Sequence, residues 1–343
     1  MKSKVLVTGG NGHLGYNLVL ELLSAGYLPR VMMRHSAGNP GFDRLKEQFT
    51  RAGAEVVEAD LMDPASLEAA FQGEPIVGLF HVAAPNPVRI ENPDRDVVRP
   101  TLEGTQNILH AAEKHGVRFV VFTSTCSALG LRAPKERELT EDDWNDELFS
   151  PVTMAKAQTE KWVRQWAERT QSIVQVVCVP WMMGPGFWRR SAATEIFWQI
   201  QSGNRVALPD VGFHIVDARD VAIAHRTAFE RARKENRSDG KITVAGQYVR
   251  TRDFAKLINQ VRPDARFPEK PLSWAWIKAA AFADTTISRV FGRYPALSSD
   301  YIREVQFCDQ RVSTLKSRTL LQWAPRPALE TIRDTFNWLD EIS

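Results

Sequence analysis

Short apolar runs alternate with stretches of helical period along the first 180 residues of the chain. The runs at 4–8, 29–33, 55–59, 76–82, 119–123 and 173–179 predict strands. Between them, apolar residues recur at helical spacing over 13–25, 42–52, 64–71, 97–115 and 152–169. The strands are almost continuously apolar rather than alternating, which predicts a parallel sheet covered by helices on both faces. After Gly184-Pro185-Gly186 the rhythm breaks. Residues 188–201 are aromatic and amphipathic, 213–233 suggest a strand, a turn and a helix, and 241–245 suggest a last short strand. From 250 onward helices dominate. The expected fold is α/β: a doubly wound parallel sheet with a smaller, mainly helical C-terminal substrate cap. Residues 1–186 are assigned to the sheet domain, with 213–246 rejoining it. The cap takes 187–212 and 247–343. Ligands of such sheets bind in the crevice beyond the carboxyl ends of the strands.

Composition narrows the partners. The 343 residues are 43% apolar and 25% charged, with a net charge of +3. Arg231, Arg233, Lys234 and Arg237 are interspersed with Glu230, Glu235 and Asp239, so this cluster reads as a solvated helix end. With no basic stripe interleaved with aromatics, nucleic acid is not an expected partner. The three cysteines lie far apart, without metal-ligand spacing or a disulfide framework, which predicts no metal site and a reduced, cytoplasmic setting. The chain enters a strand at Lys4, which leaves no room for a signal peptide. No apolar run reaches the roughly 18 residues of a transmembrane segment. The nearest, L-S-W-A-W-I-K-A-A-A-F-A over 272–283, is interrupted by Lys278 and reads as an ordinary buried helix rather than a membrane-surface contact. A monomer or homodimer is expected.

The segment V-L-V-T-G-G-N-G-H-L-G (5–15) sets a glycine cluster between the first strand and the first helix. Glycines permit the tight turn, the close approach of a pyrophosphate and helix–strand packing. The following amides then face the anion. Gly9, Gly12 and Gly15, with His13 and Leu14, are therefore expected to hold a dinucleotide, and the sheet to be of Rossmann type. The second strand ends V-M-M-R-H-S, with Arg34 where a carboxylate would bind a ribose 2′-hydroxyl. A guanidinium suits a 2′-phosphate, so NADP(H) is expected in preference to NAD(H). Asp60-Leu61 follows the third strand, where a carboxylate can reach an adenine amino group. In H-V-A-A-P (81–85), Ala83 and Ala84 permit close cofactor approach. Thr123-Ser124-Thr125 closes the fifth strand, and P-W-M-M-G-P-G (180–186) follows the sixth. Pro180, Met182 and Met183 are assigned to the cofactor. Pro85, Trp181, Phe187 and Trp188 are assigned to the pocket of a small hydrophobic or aromatic substrate. Cys126 reads as a small buried residue rather than a nucleophile, since no histidine is near it in sequence.

Taken in order, T-G-G-N-G-H-L-G, D-L, H-V-A-A-P, F-T-S-T, a lysine helix, P-x-x-x-G-P-G and V-D-A-R-D-V-A resemble the extended short-chain dehydrogenase/reductase (NAD-dependent epimerase/dehydratase) family. R-P-T-L-E-G-T-Q-N-I-L-H-A-A (99–112) and H-I-V-D-A-R-D-V-A-I-A-H (214–225) resemble its dihydroflavonol-reductase-like branch. The likeness spans roughly residues 1–250; the cap matches only in general character. The family implies a Ser or Thr that steadies the substrate carbonyl. It also implies a Tyr that moves the proton, and a Lys four residues later that lowers the tyrosine pKa and holds the nicotinamide ribose. Thr125 matches the hydroxyl position, with Ser124 the alternative in a register one residue off. Lys156 matches the lysine. The tyrosine position is Val152.

No shifted register restores the phenol, because none of the five tyrosines lies between Tyr27 and Tyr248. A positioned acid contributes roughly 10²–10⁴ in rate. Lys156 itself, Thr125, Thr153, His13 or a bound water are the candidates to replace it. Three classes stay open: a reductase of a bulky hydrophobic carbonyl compound with an unusual proton donor, a non-redox isomerase, lyase or cyclase keeping a structural cofactor, and an inactive NADP(H)-sensing or scaffold protein. The glycine loop, Lys156 and the hydroxyl triplet favour the two enzymes, while Val152 weighs against ordinary ketone reduction.

Overall fold

A computed structural model of the chain describes residues 3–34, 40–146, 148–204, 206–291, 294–306 and 308–343. The strands are β1 (Lys4–Thr8), β2 (Leu28–Met33), β3 (Glu55–Glu58), β4 (Gly78–His81), β5 (Phe119–Thr125), β6 (Ile173–Val179), β7 (Trp181–Met183), β8 (Gly212–Asp217), β9 (Lys241–Thr243) and β10 (Gln247–Arg250). Seven of them form one parallel sheet in the order β3-β2-β1-β4-β5-β6-β9. β7, β8 and β10 form a second sheet of order β10-β8-β7, with β8 parallel to β7 and antiparallel to β10.

Side-chain alternation along β1 builds two cores. Val5 and Val7 join Leu18, Leu22, Phe49 and Phe229 on one face, while Leu6 joins Leu79, Ile108, Val163 and Trp166 on the other. The first layer is supplied by the helices α1 (His13–Ser24), α2 (Pro40–Arg51) and, much later in the chain, Ala218–Glu235. The second comes from α3 (Pro64–Phe71), α4 (Arg99–Lys114) and α5 (Pro151–Thr170). Both faces are therefore covered, as near-continuous apolar strands require.

The remaining helices are α6 (Glu195–Gln201), α7 (the Ala218–Glu235 helix just placed), α8 (Thr251–Val261), α9 (Trp274–Val290), α10 (Ser299–Val305), α11 (Leu315–Leu321) and α12 (Ala328–Ile342). Phe197, Phe213, Phe254 and Phe336 knit α6, α8 and α12 to the small sheet.

The chain departs from the sequence pattern in several places. β5 runs on to Thr125, so the whole hydroxyl triplet lies on the strand. Helix α4 is preceded by a π-type turn over Asp94–Val98. Of 188–201, only Glu195–Gln201 is α-helical. No turn separates β8 from α7, because Asp217 ends the strand and its carboxylate accepts the Arg219 N–H at 2.9 Å, capping the helix. Of the stretch 213–246, β9 pairs with β6 in the main sheet, whereas β8 lies in the small one. The apolar stretch at 272–283 is not a buried helix. Only one edge of α9, at Ile277 and Ala281, packs inward against Ile302, and Trp276 and Phe282 stand in solvent. Among the described residues no helix is long and apolar enough to cross a membrane.

One charged cluster lies inside the second core. Glu160, fully buried on α5, accepts the Ser124 hydroxyl at 2.5 Å and lies 3.4 Å from Lys241 and 3.3 Å from Arg164. Lys241, also buried, rests 4.2 Å above the Trp144 ring. Removing one member leaves an uncompensated buried charge. Glu160→Ala is expected to lower the unfolding free energy by about 3–5 kcal/mol, read by urea denaturation. Replacing the pair together (Glu160→Leu with Lys241→Met) is expected to cost less than the single change.

Candidate active site

The crevice opens where the strand order reverses, between β1 and β4. After Thr8 the chain turns through Gly9 at φ 71°, and a Cβ there would sit 2.8 Å from Ala83 Cα. Gly15 is as constrained, since its Cβ would meet the Gly9 carbonyl oxygen at 2.1 Å. Gly12 precedes α1 without any side-chain cap, so the first amides of the helix, at His13 and Leu14, remain available to an anion at the cleft.

A buried chain of hydrogen bonds sets the two strand ends. The Thr105 hydroxyl donates to the Thr101 carbonyl at 2.6 Å and so accepts from His81 Nε2 at 2.9 Å. Nδ1 of His81 is then the acceptor for the Thr8 hydroxyl at 2.8 Å, and Thr8 Oγ1 accepts the Ala83 N–H at 3.2 Å. Burial, helped by the charge of Lys156, lowers the His81 pKa to about 3, so the ring is neutral.

Two adjoining hollows make up the cleft. The first, of about 440 Å³, is bordered by Arg34, Asp60, Leu61, Ala83 and Ala84, all sequence-predicted cofactor residues. The second, of about 520 Å³, is bordered by Gly9, Gly12, His13, Leu14, Gly15, Lys156, Pro180 and Met182. Pro85 borders both. Arg34 lies 3.9 Å from Asp60, whose other oxygen accepts the Met62 N–H at 2.9 Å. Arg189, which sequence reasoning missed, also borders both hollows. Burial and the nearby charge of Arg34 lower its pKa, and no described carboxylate pairs with it. The uncapped helix start, the glycine cradle and two facing guanidiniums fit a phosphorylated dinucleotide. Met183 is a correction: alternation along β7 turns it away from Met182 into the core of the small sheet, fully buried.

At the far end the hydroxyl triplet divides its work by strand alternation. Thr123 donates to Nε2 of His225 at 2.9 Å, since Nδ1–H of that ring is engaged by the Val221 carbonyl at 2.8 Å. Ser124 also borders the cleft but is buried, with its hydroxyl given to Glu160. Thr125 accepts the Ser127 N–H at 3.2 Å and keeps its own proton for a ligand. Lys156 is half-buried, and no described side chain pairs with it. Burial lowers its pKa to about 8. Val152 borders the same hollow one turn earlier on α5. Thr153 is not free: its hydroxyl lies 2.8 Å from the Glu304 carboxylate and 2.9 Å from Ser150 Oγ, the residue that caps α5. His13 gives its Nε2 proton to the carbonyls of Gly184 (3.0 Å) and Pro185 (3.1 Å), and burial lowers its pKa to about 4. It is no acid at neutral pH. Cys126 is fully buried and its thiol pKa is raised by that burial. Among the described residues no cluster of histidine, cysteine and carboxylates is arranged to hold a metal.

Beyond Thr125 a third hollow of about 1000 Å³ opens under the C-terminal helices. Asn86, Thr125, Ser127, Pro180, Trp181 and Ala193 border both it and the cleft. Its other walls are mostly apolar, Leu208, Phe213, Trp274, Ile277 and Leu297 among them, with Glu195, Gln199 and Gln310 as polar exceptions. Of the aromatic residues expected in the substrate pocket, only Trp181 stands here. Phe187 and Trp188 border the cleft instead, in the hollow that also holds Thr125, Val152 and Lys156. The chain bends back at Gly186 (φ 99°) over α1, so Phe187 packs on the His13 ring at 5.2 Å and Trp188 on Tyr16 at 5.9 Å, beside the cofactor cleft. The walls of this hollow come largely from the aromatic stretch 188–201 and from residues 272–310, which carry none of the quoted motifs.

The model of the NAD dependent epimerase/dehydratase family matches residues 5–265. The chain belongs to this family. Cinnamoyl-CoA reductase 1 of Oryza sativa subsp. japonica is 30% identical over 275 residues, 78% of each chain. A dihydroflavonol 4-reductase of Zea mays is 36% identical over 153 residues, 43% of this chain and 42% of its own. The crystal structure of yeast methylglyoxal/isovaleraldehyde reductase Gre2 complexed with NADPH superimposes with a TM-score of 0.75 at 20% identity, covering 99% of this chain and 100% of that one. This last likeness speaks for the fold alone.

In this family member the buried serine and the cleft-side threonine should separate cleanly. Ser124→Ala is expected to lower the unfolding free energy by about 1–3 kcal/mol, because Glu160 loses a donor it cannot replace from water. Dinucleotide affinity, measured by fluorescence titration, should stay within twofold of wild type.

Proposed function

We propose that this protein is an NADP(H)-dependent reductase of a bulky apolar carbonyl compound, in which Lys156 is the proton donor in place of the missing tyrosine. The observation that carries this reading is the placing of Lys156, half-buried on the same hollow as Thr125 and Val152 with no described carboxylate pairing it, where burial lowers its pKa to about 8. Such an ammonium is fully formed at neutral pH, yet gives up its proton far more readily than an ordinary lysine. The bound dinucleotide supplies the hydride. Thr125 donates a hydrogen bond to the substrate oxygen, Lys156 delivers the proton to the same atom, and the amine left behind is reprotonated from water. The apolar hollow meeting the cleft at Thr125 and Trp181 supports a large hydrophobic substrate. Reduction by relatives such as the rice cinnamoyl-CoA reductase supports redox over non-redox chemistry.

Lys156→Arg decides the proton donor. A guanidinium keeps the positive charge but cannot give up a proton at neutral pH. NADPH affinity is expected to stay within about threefold of wild type, while NADPH oxidation with apolar aldehydes falls at least about a hundredfold. In wild type the rate should be level well below pH 8, be about halved near pH 8 and fall further above it, because the acid must carry its proton. Product formed without stoichiometric NADPH consumption would overturn the reductase and favour the non-redox alternative. Unchanged turnover in Lys156→Arg would exclude only Lys156 as the donor.

Arg34 and Arg189 support the cofactor preference. NADPH is expected to bind at least about tenfold tighter than NADH, a modest value for charge-assisted contacts to a phosphate. Arg34→Ala should bring the two affinities within about threefold. Equal affinities in wild type would remove the preference while leaving the reductase standing.

A further inference from the structure

Helix α9 carries a large apolar face that no described residue of the chain covers. Trp276 is 76% exposed, Phe282 77%, Ile287 47% and Val290 77%. Its opposite edge is anchored by Ile277, Ala281 and Ser288, which are buried. The helix bears three charges. The acid, Asp284, is half-buried and accepts the Leu297 N–H at 2.8 Å and the Ser288 hydroxyl at 3.4 Å. The two bases, Lys278 and Arg289, are exposed. They stand about three turns apart, which places both along the same border of the apolar face. Trp276 and Ala280 also border the hollow of about 1000 Å³, so this helix is at once the wall of that hollow and the outer surface beside it.

We propose that α9 docks flat on an anionic lipid bilayer, its apolar face in the headgroup–acyl boundary and Lys278 and Arg289 on the lipid phosphates. A helix with an aromatic, apolar face edged by bases has the composition that binds such an interface without spanning it. Long basic side chains reach the phosphates while their stems lie along the apolar layer. A second copy of the chain fits less well. A two-fold pairing through this face sets the basic border against its own image, and α9 has no exposed acid to meet it. Docked this way, the wall of the apolar hollow touches the bilayer, so the site would draw a hydrophobic substrate from lipid. The docking itself does not depend on the reductase reading.

Co-sedimentation of the full chain with vesicles tests this directly, with no turnover required. Binding to equimolar phosphatidylcholine and phosphatidylglycerol is expected at least about tenfold tighter than to phosphatidylcholine alone, and to weaken as salt rises. Lys278→Glu with Arg289→Glu should erase that preference. Trp276→Ser with Phe282→Ser and Val290→Ser should weaken binding to both vesicles at least about tenfold. Far-UV circular dichroism checks folding, and if the apolar variant fails to fold the charge pair, on exposed positions, still decides. Absence of binding to either vesicle, or variants that bind like wild type, would overturn the proposal. So would a dimer in sedimentation equilibrium that the apolar variant dissociates while vesicles bind nothing, since the face would then be a self-interface.

Discussion

A neutral imidazole at the base of the crevice fixes the geometry on which the cleft depends. His81 accepts from Thr8 and donates to Thr105, which ties the ends of β1 and β4 to α4. Thr8 in turn holds the Ala83 amide, and Ala83 is the residue against which Gly9 must close without a side chain. A second proton on His81 would make Nδ1 a donor and force the Thr8 hydroxyl proton to turn away to another acceptor. Burial and the charge of Lys156 both oppose that proton. The lysine of the reacting end thus favours the neutral state of the histidine that shapes the phosphate end. The cleft's two halves are coupled through one titratable group that stays uncharged across the physiological range.

The start of α5 is held without any contribution from Val152, the residue that the family resemblance sets at the tyrosine position. Ser150 caps the helix, and both Ser150 and Thr153 are bound by Glu304 from α10, a residue some 150 positions later. The helix start is therefore held from its sides, and Val152 contributes only an apolar surface to the hollow. On the proposed reading this changes which lysine state matters. A lysine beside a phenol serves best as a permanent cation. One beside a valine loses part of its hydration and becomes a proton donor of useful strength. The same desolvation that makes an unpaired ammonium costly supplies the acidity.

The doubly wound half was legible because its signal is local. The six predicted strands match β1 to β6 to within a few residues, since the runs, apart from the edge strand β3, are buried on both faces and flanked by helices of clear period. The glycine turn was legible for the same reason, as contiguous residues make it. What the sequence hid was set by tertiary contact. β7 and β10 are short strands whose pairing partner, β8, lies elsewhere in the chain. Ser124 and Thr125 are adjacent hydroxyls, and only Glu160 on the neighbouring helix tells them apart. Phe187 and Trp188 have the composition of a substrate pocket, but Gly186 bends them over α1. Arg189 carries no motif, and its place opposite Arg34 follows from that same bend.

The join between cleft and apolar hollow locates where selectivity can arise. Only Asn86, Thr125, Ser127, Pro180, Trp181 and Ala193 border both spaces, and Thr125 is the one with an uncommitted hydroxyl proton on a sheet strand. On the proposed reading a substrate places its reacting oxygen there and its bulk beyond. The bulk then meets walls from α9 and α10, which are secured by a small apolar cluster around Ile277, Ala281 and Ile302 rather than by either large core. Changes in those walls cost little of the fold, whereas changes at the cradle strike the backbone contact between Gly9 and Ala83. On the proposed reading the chemistry is held by the rigid half, and the identity of the substrate is left to the half that can vary.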